Sequence, residues 1–466
     1  MNNHGLNLVT PKVTPVLDPY FRPAALACRS FEATARATGK ATPLGIALEQ
    51  ADGSIDHFHT ILPPEDHPAS AGSFRHVERL VKFLLWARGG FKIHIQGSPK
   101  MATLLADHFH KSPTGQFDAE IMGNRIYENT FCVVVCDELP PARSATAPLG
   151  RHWEGCRIGF DLGGSDRKVA SVIDGKCVFS EEIVWNPVPQ KDPEWHFQEI
   201  MDALKRAAVH LPRVDAIGGS SAGVYVNNRV KVASLFRGVP PELFQSRVKD
   251  IFLELRSAWN DIPFEIANDG EVTALAGSMS LGENGVLGLA LGTSTAGGYV
   301  NTEGNITPWL NELAFVPVDY HPAAAADEWS GDRGCGVQYF SQQAVNRLLA
   351  PAGIDVDPAL SLPERLKQVQ ELMAANDHRA RKIYETIGVY LGYTVAHFAT
   401  FYDLRHVLVL GRVTSGPGGE LILIEARRVL GLEFPELAEK IRLHMPDEKE
   451  KRHGQAMAAA SLPSLR

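Results

Sequence analysis

Apolar and polar positions in residues 43–136 alternate with period two in some stretches and follow a helical period in others. This change of period predicts a hairpin followed, in order, by a helix at 76–87, a strand at 91–95, a helix at 99–110 and a strand at 131–136. Residues 1–40 contain several prolines and no sustained period, which predicts irregular structure. We therefore expect a small α/β domain over residues 1–140. The prolines and small residues that follow predict a linker at 141–156.

Short apolar strands recur after the linker, and several of them end in a turn rich in glycine or polar residues. Strands are predicted at 157–160, 168–173, 176–183, 214–218, 264–267, 286–291 and 407–410. An apolar stripe predicts a long helix at 379–398, formed by Ile383, Ile387, Leu391 and Val395. Strands that alternate with helices are typical of an α/β fold.

Composition and charge narrow the classes of function. The 466 residues are 44% hydrophobic and 21% charged, which is typical of a globular protein with two or three domains. A formal net charge of −8 gives no general attraction to nucleic acid. The six cysteines have no framework spacing, and no apolar run approaches the roughly 20 residues that span a bilayer. With no recognisable signal peptide, we expect a soluble, cytoplasmic protein with reduced thiols and no membrane partner.

Phosphoryl transfer requires backbone N–H groups near phosphate oxygens, a carboxylate near the metal ion and a base for the attacking hydroxyl. The turn Asp161-Leu162-Gly163-Gly164 offers an acid and two glycines after a strand. Hairpins use Asp and Gly in such turns as well, so this signal is open to both interpretations. The loop from Gly292 to Gly298 interleaves hydroxyls with glycines, which suits contacts to a terminal phosphate.

Two further turns are candidates. The glycine-rich turn at 411–419 opens a helix, where a nucleotide can lie close to the backbone, although a flexible loop explains it equally well. The pair Asn268-Asp269 lies between a predicted strand and a predicted helix. An Asp at this point is common as a helix N-cap, so capping and catalysis both stay open.

The order of these four loops resembles the actin/hexokinase/Hsp70 superfamily, and more narrowly the ROK family of sugar kinases and repressors. The resemblance covers about residues 157–466, including the tail at 453–456, which is similar to the closing helix of the family. It implies two ribonuclease-H-like α/β lobes around a nucleotide and sugar cleft. The first 150 residues lie outside the resemblance, and the smaller α/β N-terminal domain that precedes the lobes is predicted from its pattern alone. The resemblance places the lobes at 157–268, joined by the helix 450–466, and at 269–449. It also implies a homodimer.

The resemblance implies roles for individual residues, with ATP and Mg²⁺ as cofactors and a small-molecule sugar as substrate. Asp269 matches the general base, and Asp161 matches a residue that holds Mg²⁺ directly or through water. The implied substrate contacts are Asn268, Glu312, Ser221 and Gly223. The implied ATP and phosphate contacts are Asp161, Gly163, Gly164, Gly292, Thr293, Gly297, Gly411, Gly416 and Gly418.

This chain departs from the ROK pattern at the positions of the family's zinc site. Phe315 replaces the zinc-binding His, and only Gly334-Cys335 remains of the clustered cysteines. A lone cysteine does not make a tetrahedral site, so we predict no structural zinc. Val337 stands where the family has a second sugar-binding Glu. We therefore expect a sugar pocket that differs from that of ROK glucokinases.

Two alternatives belong to other classes of function. The turn 219–223 fits the G-x-S-x-G pattern of a hydrolase, but that motif needs a helix after it and residues 224–230 alternate like a strand. ROK repressors carry a helix-turn-helix before the sugar domain, whereas the N-terminal segment here shows no basic recognition helix, which argues against DNA binding. A catalytically quiet sugar sensor stays open, although retention of Asp161 and Asp269 argues against it.

Overall fold

The computed structural model describes residues 5–144, 149–446 and 448–465. Residues 145–148 of the predicted linker lie outside this range. The chain divides into two compact units. The first unit comprises Met1–Thr146, Leu289–Gly297 and Pro308–Met445, and the second comprises Ala147–Gly288, Gly298–Thr307 and Pro446–Arg466.

The strands, in chain order, are β1 Thr42–Glu49, β2 Ile55–Leu62, β3 Lys92–Gln96, β4 Cys132–Cys136, β5 Cys156–Leu162, β6 Asp166–Ile173, β7 Lys176–Val184, β8 Ala216–Ser221, β9 Val224–Val226, β10 Arg229–Val232, β11 Phe264–Asn268, β12 Val286–Leu291, β13 Thr295–Val300, β14 His406–Leu410 and β15 Arg442–His444. The α-helices are α1 Ala24–Ala37, α2 Ser73–Arg88, α3 Pro99–Lys111, α4 Pro113–Ala119, α5 Pro193–Ala208, α6 Pro241–Leu243, α7 Ile251–Ala258, α8 Asp269–Leu281, α9 Val337–Phe340, α10 Gln342–Ala352, α11 Leu362–Ala374, α12 His378–Phe398, α13 Pro417–Glu433, α14 Pro435–Ala438 and α15 Glu448–Ala460. Short 3₁₀ or π turns lie at Pro68–Gly72, Glu120–Tyr127, Ser234–Phe236, Phe244–Val248 and Arg412–Thr414.

The second unit is built on a five-stranded mixed sheet with the strand order β11-β8-β5-β6-β7. Strands β5, β8 and β11 are parallel, whereas β6 and β7 are antiparallel to their neighbours. Helix α15 packs on β5 and β8 so closely that a side chain at Gly159 or Gly218 would collide with the backbone of Ala456 or Ala459. The core on this sheet contains large apolar side chains such as Ile158, Phe160, Leu204, Ile217 and Phe252.

A four-stranded sheet of the order β2-β1-β3-β4 lies in the first unit, and a further four-stranded sheet has the order β13-β12-β14-β15. Helix α12 packs along α13 and also contacts α1. Residues 1–146 belong to the first unit together with 289–297 and 308–445, whereas the sequence predicts a separate domain over residues 1–140. The predicted domain boundaries stay a prediction.

The predicted mixed α/β class is confirmed, and the strands at 91–95, 214–218 and 264–267 correspond to β3, β8 and β11. The prediction of irregular structure over residues 1–40 is wrong, because α1 lies within it. Its buried face is formed mainly by alanines, with Leu26, Cys28 and Phe31 among them. Because alanine is only weakly apolar, the hydrophobic period of this helix was too weak to be recognised in the sequence. Within the described residues, no helix is both long enough and apolar enough to cross a membrane.

Candidate active site

The carboxyl ends of three parallel strands bring several predicted site residues to one edge of the sheet in the second unit. Asp161 at the end of β5 lies opposite Ser220 of β8, and Ser221 of β8 lies opposite Asn268 of β11. Ligands of open α/β sheets bind outside the carboxyl ends of the strands. This register therefore groups Asp161, Ser221, Asn268 and the following Asp269 at the edge where a ligand is expected.

Asp161 is a buried carboxylate with two polar partners. The Ser220 hydroxyl donates a hydrogen bond of 2.6 Å to Asp161 Oδ1, and Lys168 Nζ lies 3.5 Å from Asp161 Oδ2. Burial raises the pKa of Asp161, while Ser220 and Lys168 oppose that rise. Lys168 also lies 2.9 Å from Asp166 Oδ1 and is therefore shared between two carboxylates.

Asp269 is the first residue of α8, and its neighbour Asn268 is the N-cap. Asn268 Oδ1 accepts a 2.8 Å hydrogen bond from the Gly270 N–H, which also donates to Asp269 Oδ1 over 2.9 Å. The interpretation of Asp269 as the N-cap is therefore wrong, because Asn268 has that role. Burial and then the negative charge of Asp161 raise the pKa of Asp269 to about 6. Asp269 is thus a carboxylate that can accept a proton near neutral pH.

Asn268 also joins the end of β11 to the turn after β8. Its Nδ2 donates a 2.7 Å hydrogen bond to the Gly223 carbonyl. Gly223 has a φ of +143°, and a side chain there would collide with Val232 of β10. The β9–β10 hairpin follows this turn, so the helix that a hydrolase nucleophile requires is absent there.

Sequence reasoning missed two residues beside the acidic pair. Lys168 lies directly opposite Asp161 in the β5–β6 hairpin, a contact that depends on the register of the two strands. Tyr225 of β9 lies near both Ser221 and Asp269. Burial, and to a smaller extent the charge of Asp269, raises its pKa, and its hydroxyl donates a 3.2 Å hydrogen bond to the Ala222 carbonyl.

Several of the predicted phosphate-loop glycines have a structural reason to be glycine. In the first unit, a side chain at Gly297 would lie 2.6 Å from the Asn311 carbonyl oxygen, and one at Gly411 would lie 2.5 Å from the Leu291 carbonyl oxygen. A side chain at Gly418 would collide with the ring of Tyr384. Gly416 has open space around it but a φ of +77°. These four glycines do not by themselves indicate a ligand.

Gly164 and Gly292 differ from those four. Neither has a positive φ, and a Cβ at Gly164 would meet no protein atom within 4 Å. A Cβ at Gly292 would meet only the Ser294 carbonyl oxygen at 3.6 Å, which is ordinary contact. Gly163 is intermediate, with the Asp166 carbonyl oxygen at 3.0 Å from the position of a Cβ. Internal packing therefore does not explain why Gly164 and Gly292 are glycines. Glycine also lets a ligand approach the backbone closely, and that reason remains for these two positions.

We expect Gly418→Ala to destabilise the protein by about 1–3 kcal/mol, because a new methyl group would be forced against the Tyr384 ring. Urea unfolding of the two proteins measures this difference. Gly431→Ala is the matched control in the same helix, since its Cβ would meet no atom within 4 Å. An unchanged unfolding midpoint for Gly418→Ala would contradict the packing at this position.

Glu312 lies on the wall of a cavity of about 450 Å³ in the first unit. The same wall includes Ser294 of the predicted phosphate loop, together with Phe315, Trp329 and Gln343. Trp329 is 63% exposed. A cavity of this size, with aromatic rings beside polar groups, suits a small polar organic molecule.

The positions that correspond to the family's zinc ligands are occupied by packed side chains. The Phe315 ring stacks on Trp86 at a centroid distance of 4.1 Å. Cys335 is buried, and burial raises the pKa of its thiol to about 12. Within residues 5–144, 149–446 and 448–465, no group of three or more His, Cys, Asp and Glu side chains is arranged to hold a metal ion.

The carboxylates Asp161 and Asp269 are the kind of donors that suit a hard divalent cation such as Mg²⁺. Asp161 and Asp269 are close enough for the charge of one to raise the pKa of the other. Mg²⁺ is commonly bound by one or two carboxylates together with substrate phosphates. A divalent cation there would relieve the repulsion between these two side chains.

The mixed sheet β11-β8-β5-β6-β7, with acids at its carboxyl edge, defines an actin/hexokinase-type α/β fold. Among solved structures, the ROK hexokinase from Thermus thermophilus superposes with a TM-score of 0.52 at 22% identity, covering 66% of this chain and 97% of that chain. This chain therefore has the fold of the ROK family, and the resemblance predicted from its loops is confirmed at the level of the fold.

Two other ROK structures give lower scores. A ROK glucokinase from Streptomyces griseus, solved with glucose and AMPPNP, has a TM-score of 0.46 at 20% identity, covering 66% of this chain and 98% of that chain. A ROK transcriptional regulator described as a homologue of the E. coli MLC protein has a TM-score of 0.49 at 17% identity, covering 66% and 78% of the two chains. No family model matches the sequence, and no curated protein matches it.

Proposed function

We propose that this protein transfers the γ-phosphoryl group of ATP to a hydroxyl of a sugar or sugar derivative. The observation that carries this proposal is the pair of acids Asp161 and Asp269 at the carboxyl edge of the second unit's sheet. Burial and mutual repulsion hold the pKa of Asp269 at about 6. A general base works best when its pKa lies near the working pH, and Asp269 meets that condition.

In the proposed reaction, Asp269 accepts the proton of the attacking sugar hydroxyl. The sugar oxygen forms a bond to the γ-phosphorus as the bond from phosphorus to the β–γ bridging oxygen breaks, and ADP leaves. Asn268 holds the start of α8 through its cap and holds Gly223 through its amide, so it orients the residue beside it. Mg²⁺, held by Asp161 and the phosphates, would neutralise negative charge on the phosphates. In the second unit, the backbone at Gly164 has the open space that contact with phosphate oxygens requires.

The test is ADP release with Mg²⁺–ATP and a panel of hexoses, amino sugars, sugar acids and polyols. Sugar-dependent ADP release supports the proposal and identifies the substrate class. If no compound of the panel caused ADP release while sugars still raised the melting temperature, the result would contradict catalysis and favour a sugar-binding sensor.

We expect Gly164→Ala to raise the KM for ATP about tenfold, because an added methyl group on this exposed turn would obstruct phosphate approach, and tenfold corresponds to about 1.4 kcal/mol. The melting temperature should not fall, since the methyl group meets no protein atom within 4 Å. Initial rates at varied ATP concentration measure the effect, with Gly431→Ala again as the control. An unchanged KM would remove Gly164 from the proposed phosphate contacts.

A further inference from the structure

The last turn of α2 is hydrogen-bonded to the backbone of Glu312. The N–H of Asn311 donates to the Ala87 carbonyl over 2.9 Å, and the N–H of Glu312 donates to the Trp86 carbonyl over 3.0 Å. Carbonyls in the last turn of a helix have no partner within the helix. The end of α2, which lies in the N-terminal segment, thus obtains its missing partners from the residues that place Glu312.

The residues on both sides of Glu312 are held in place by side chains of the first unit. Asn311 is buried with a φ of +51°, and Tyr402 donates a 2.9 Å hydrogen bond to its Oδ1. On the other flank, Phe315 stacks on Trp86, whose Nε1 donates a 2.8 Å hydrogen bond to Asp118. The backbone on each side of Glu312 therefore has little freedom to move.

Buried ion pairs tie α2 to Asp332, whose carbonyl accepts a 2.7 Å hydrogen bond from the N–H of Asp327 in the cavity wall. Lys82 Nζ lies 2.8 Å from Asp118 Oδ1 and 3.2 Å from Asp332 Oδ2, and Arg79 lies 2.9 Å from Asp332 Oδ2. These four side chains are each at most 6% exposed. Breaking such a pair leaves an uncompensated buried charge, so the arrangement resists movement. Asp332 follows the residues 327–329 that line the cavity with Glu312.

We propose that α2 of the N-terminal segment is the support that positions Glu312 for sugar binding, with Trp86 as the positioning residue. This inference rests on the proposed function for the identity of the ligand. The contacts between α2 and the residues around Glu312 lie within the first unit and do not depend on catalysis. The N-terminal segment is then part of the sugar site rather than an independent accessory.

The experiment compares Trp86→Leu with Phe83→Leu in the full chain. Phe83 lies in the same helix, is equally buried, and stacks on Phe401 at 3.8 Å rather than on the Glu312 loop. Both changes remove a buried ring, so both are expected to lower the melting temperature. Only Trp86→Leu should accelerate hydrogen exchange at the amides of Asn311 and Glu312, about tenfold or more. Trp86→Phe, which keeps a ring against Phe315, should restore slow exchange.

Kinetics supplies the second readout. Trp86→Leu should raise the KM for the sugar about tenfold and leave the KM for ATP within a factor of about two, whereas Phe83→Leu should change neither. Glu312→Gln serves as the benchmark for loss of the sugar contact. Equal exchange at Asn311 and Glu312 in both leucine variants would overturn the inference, even in a protein without activity. Absence of ADP release in the wild type would contradict the proposed function. The hydrogen-exchange result would still show whether Trp86 positions Glu312.

Discussion

Replacing Asp269 by Asn is expected to lower sugar-dependent ADP release by about 10²-fold or more, because general base catalysis contributes factors of this size. An amide of nearly the same shape keeps an oxygen for the Gly270 N–H, which donates to Asp269 Oδ1 over 2.9 Å. The start of α8 should therefore stay intact. Steady-state rates give the loss in kcat, and calorimetric titration with the sugar should show binding within a few fold of the wild type.

The stability of the same variant provides an internal check. The pKa of Asp269 is raised from an ordinary value of 3.8 to about 6, so its ionised form is disfavoured in the folded state. This group therefore lowers stability progressively as pH rises from about 4 to about 6, and the cost persists above that range. Asp269→Asn should accordingly melt at the same or a higher temperature at pH 7.5. Normal turnover in a well-folded variant would refute the assignment of the base.

The pH profile of the wild type follows from the same pKa. Asp269 must be ionised to accept a proton, so kcat/KM for Mg²⁺–ATP, which reports the enzyme before the cation binds, should be constant above pH 7 and fall about tenfold per pH unit below about pH 6. Rates measured from pH 4.5 to 8 with a saturating coupling system give this limb. A flat profile down to pH 5 would contradict the raised pKa.

The sequence predicted the acidic pair more completely than its surroundings. Asp161 and Asn268 lie at the carboxyl ends of short apolar strands and Asp269 follows the second of them, so the placement of these residues depends only on local pattern. Lys168 was not predicted as a partner of Asp161, because that contact depends on the register of β5 and β6. Register is set by the turn and by which face is buried, and neither is fixed by composition.

The support for Glu312 could not be predicted from the sequence. The carbonyls of Trp86 and Ala87 accept the hydrogen bonds from the N–H groups of Glu312 and Asn311. These two acceptors are remote along the chain and belong to no motif. Carbonyl acceptors are common to every residue, so only the fold reveals which helix end a loop will complete. Helix α2 itself was predicted from its period, and the network of Arg79, Lys82 and Asp332 explains why charged residues lie on its buried side.

Replacing Asp161 by Asn is expected to have two separable effects. The first is a loss of up to about 10²-fold in ADP release at limiting Mg²⁺, because even the loss of a group that only orients a metal's ligands typically lowers metal affinity by about 10–100-fold. Part of this loss should be recovered at high Mg²⁺ concentration. The Ser220 hydroxyl, 2.6 Å from Asp161 Oδ1, can still donate to an amide oxygen, so the sheet edge should persist.

The second effect is on the pH profile and distinguishes a direct role beside Asp269 from general damage. The negative charge of Asp161 raises the pKa of Asp269, so its removal should lower that pKa and move the acid limb of kcat/KM to lower pH. Asp166→Asn is the matched control, because Asp166 shares Lys168 with Asp161 at 2.9 Å but does not act on Asp269. The control should keep both the rate and the acid limb. An Asp161→Asn protein that lost activity with an unmoved acid limb would separate the two acids, and Asp269 would then owe its raised pKa to burial alone.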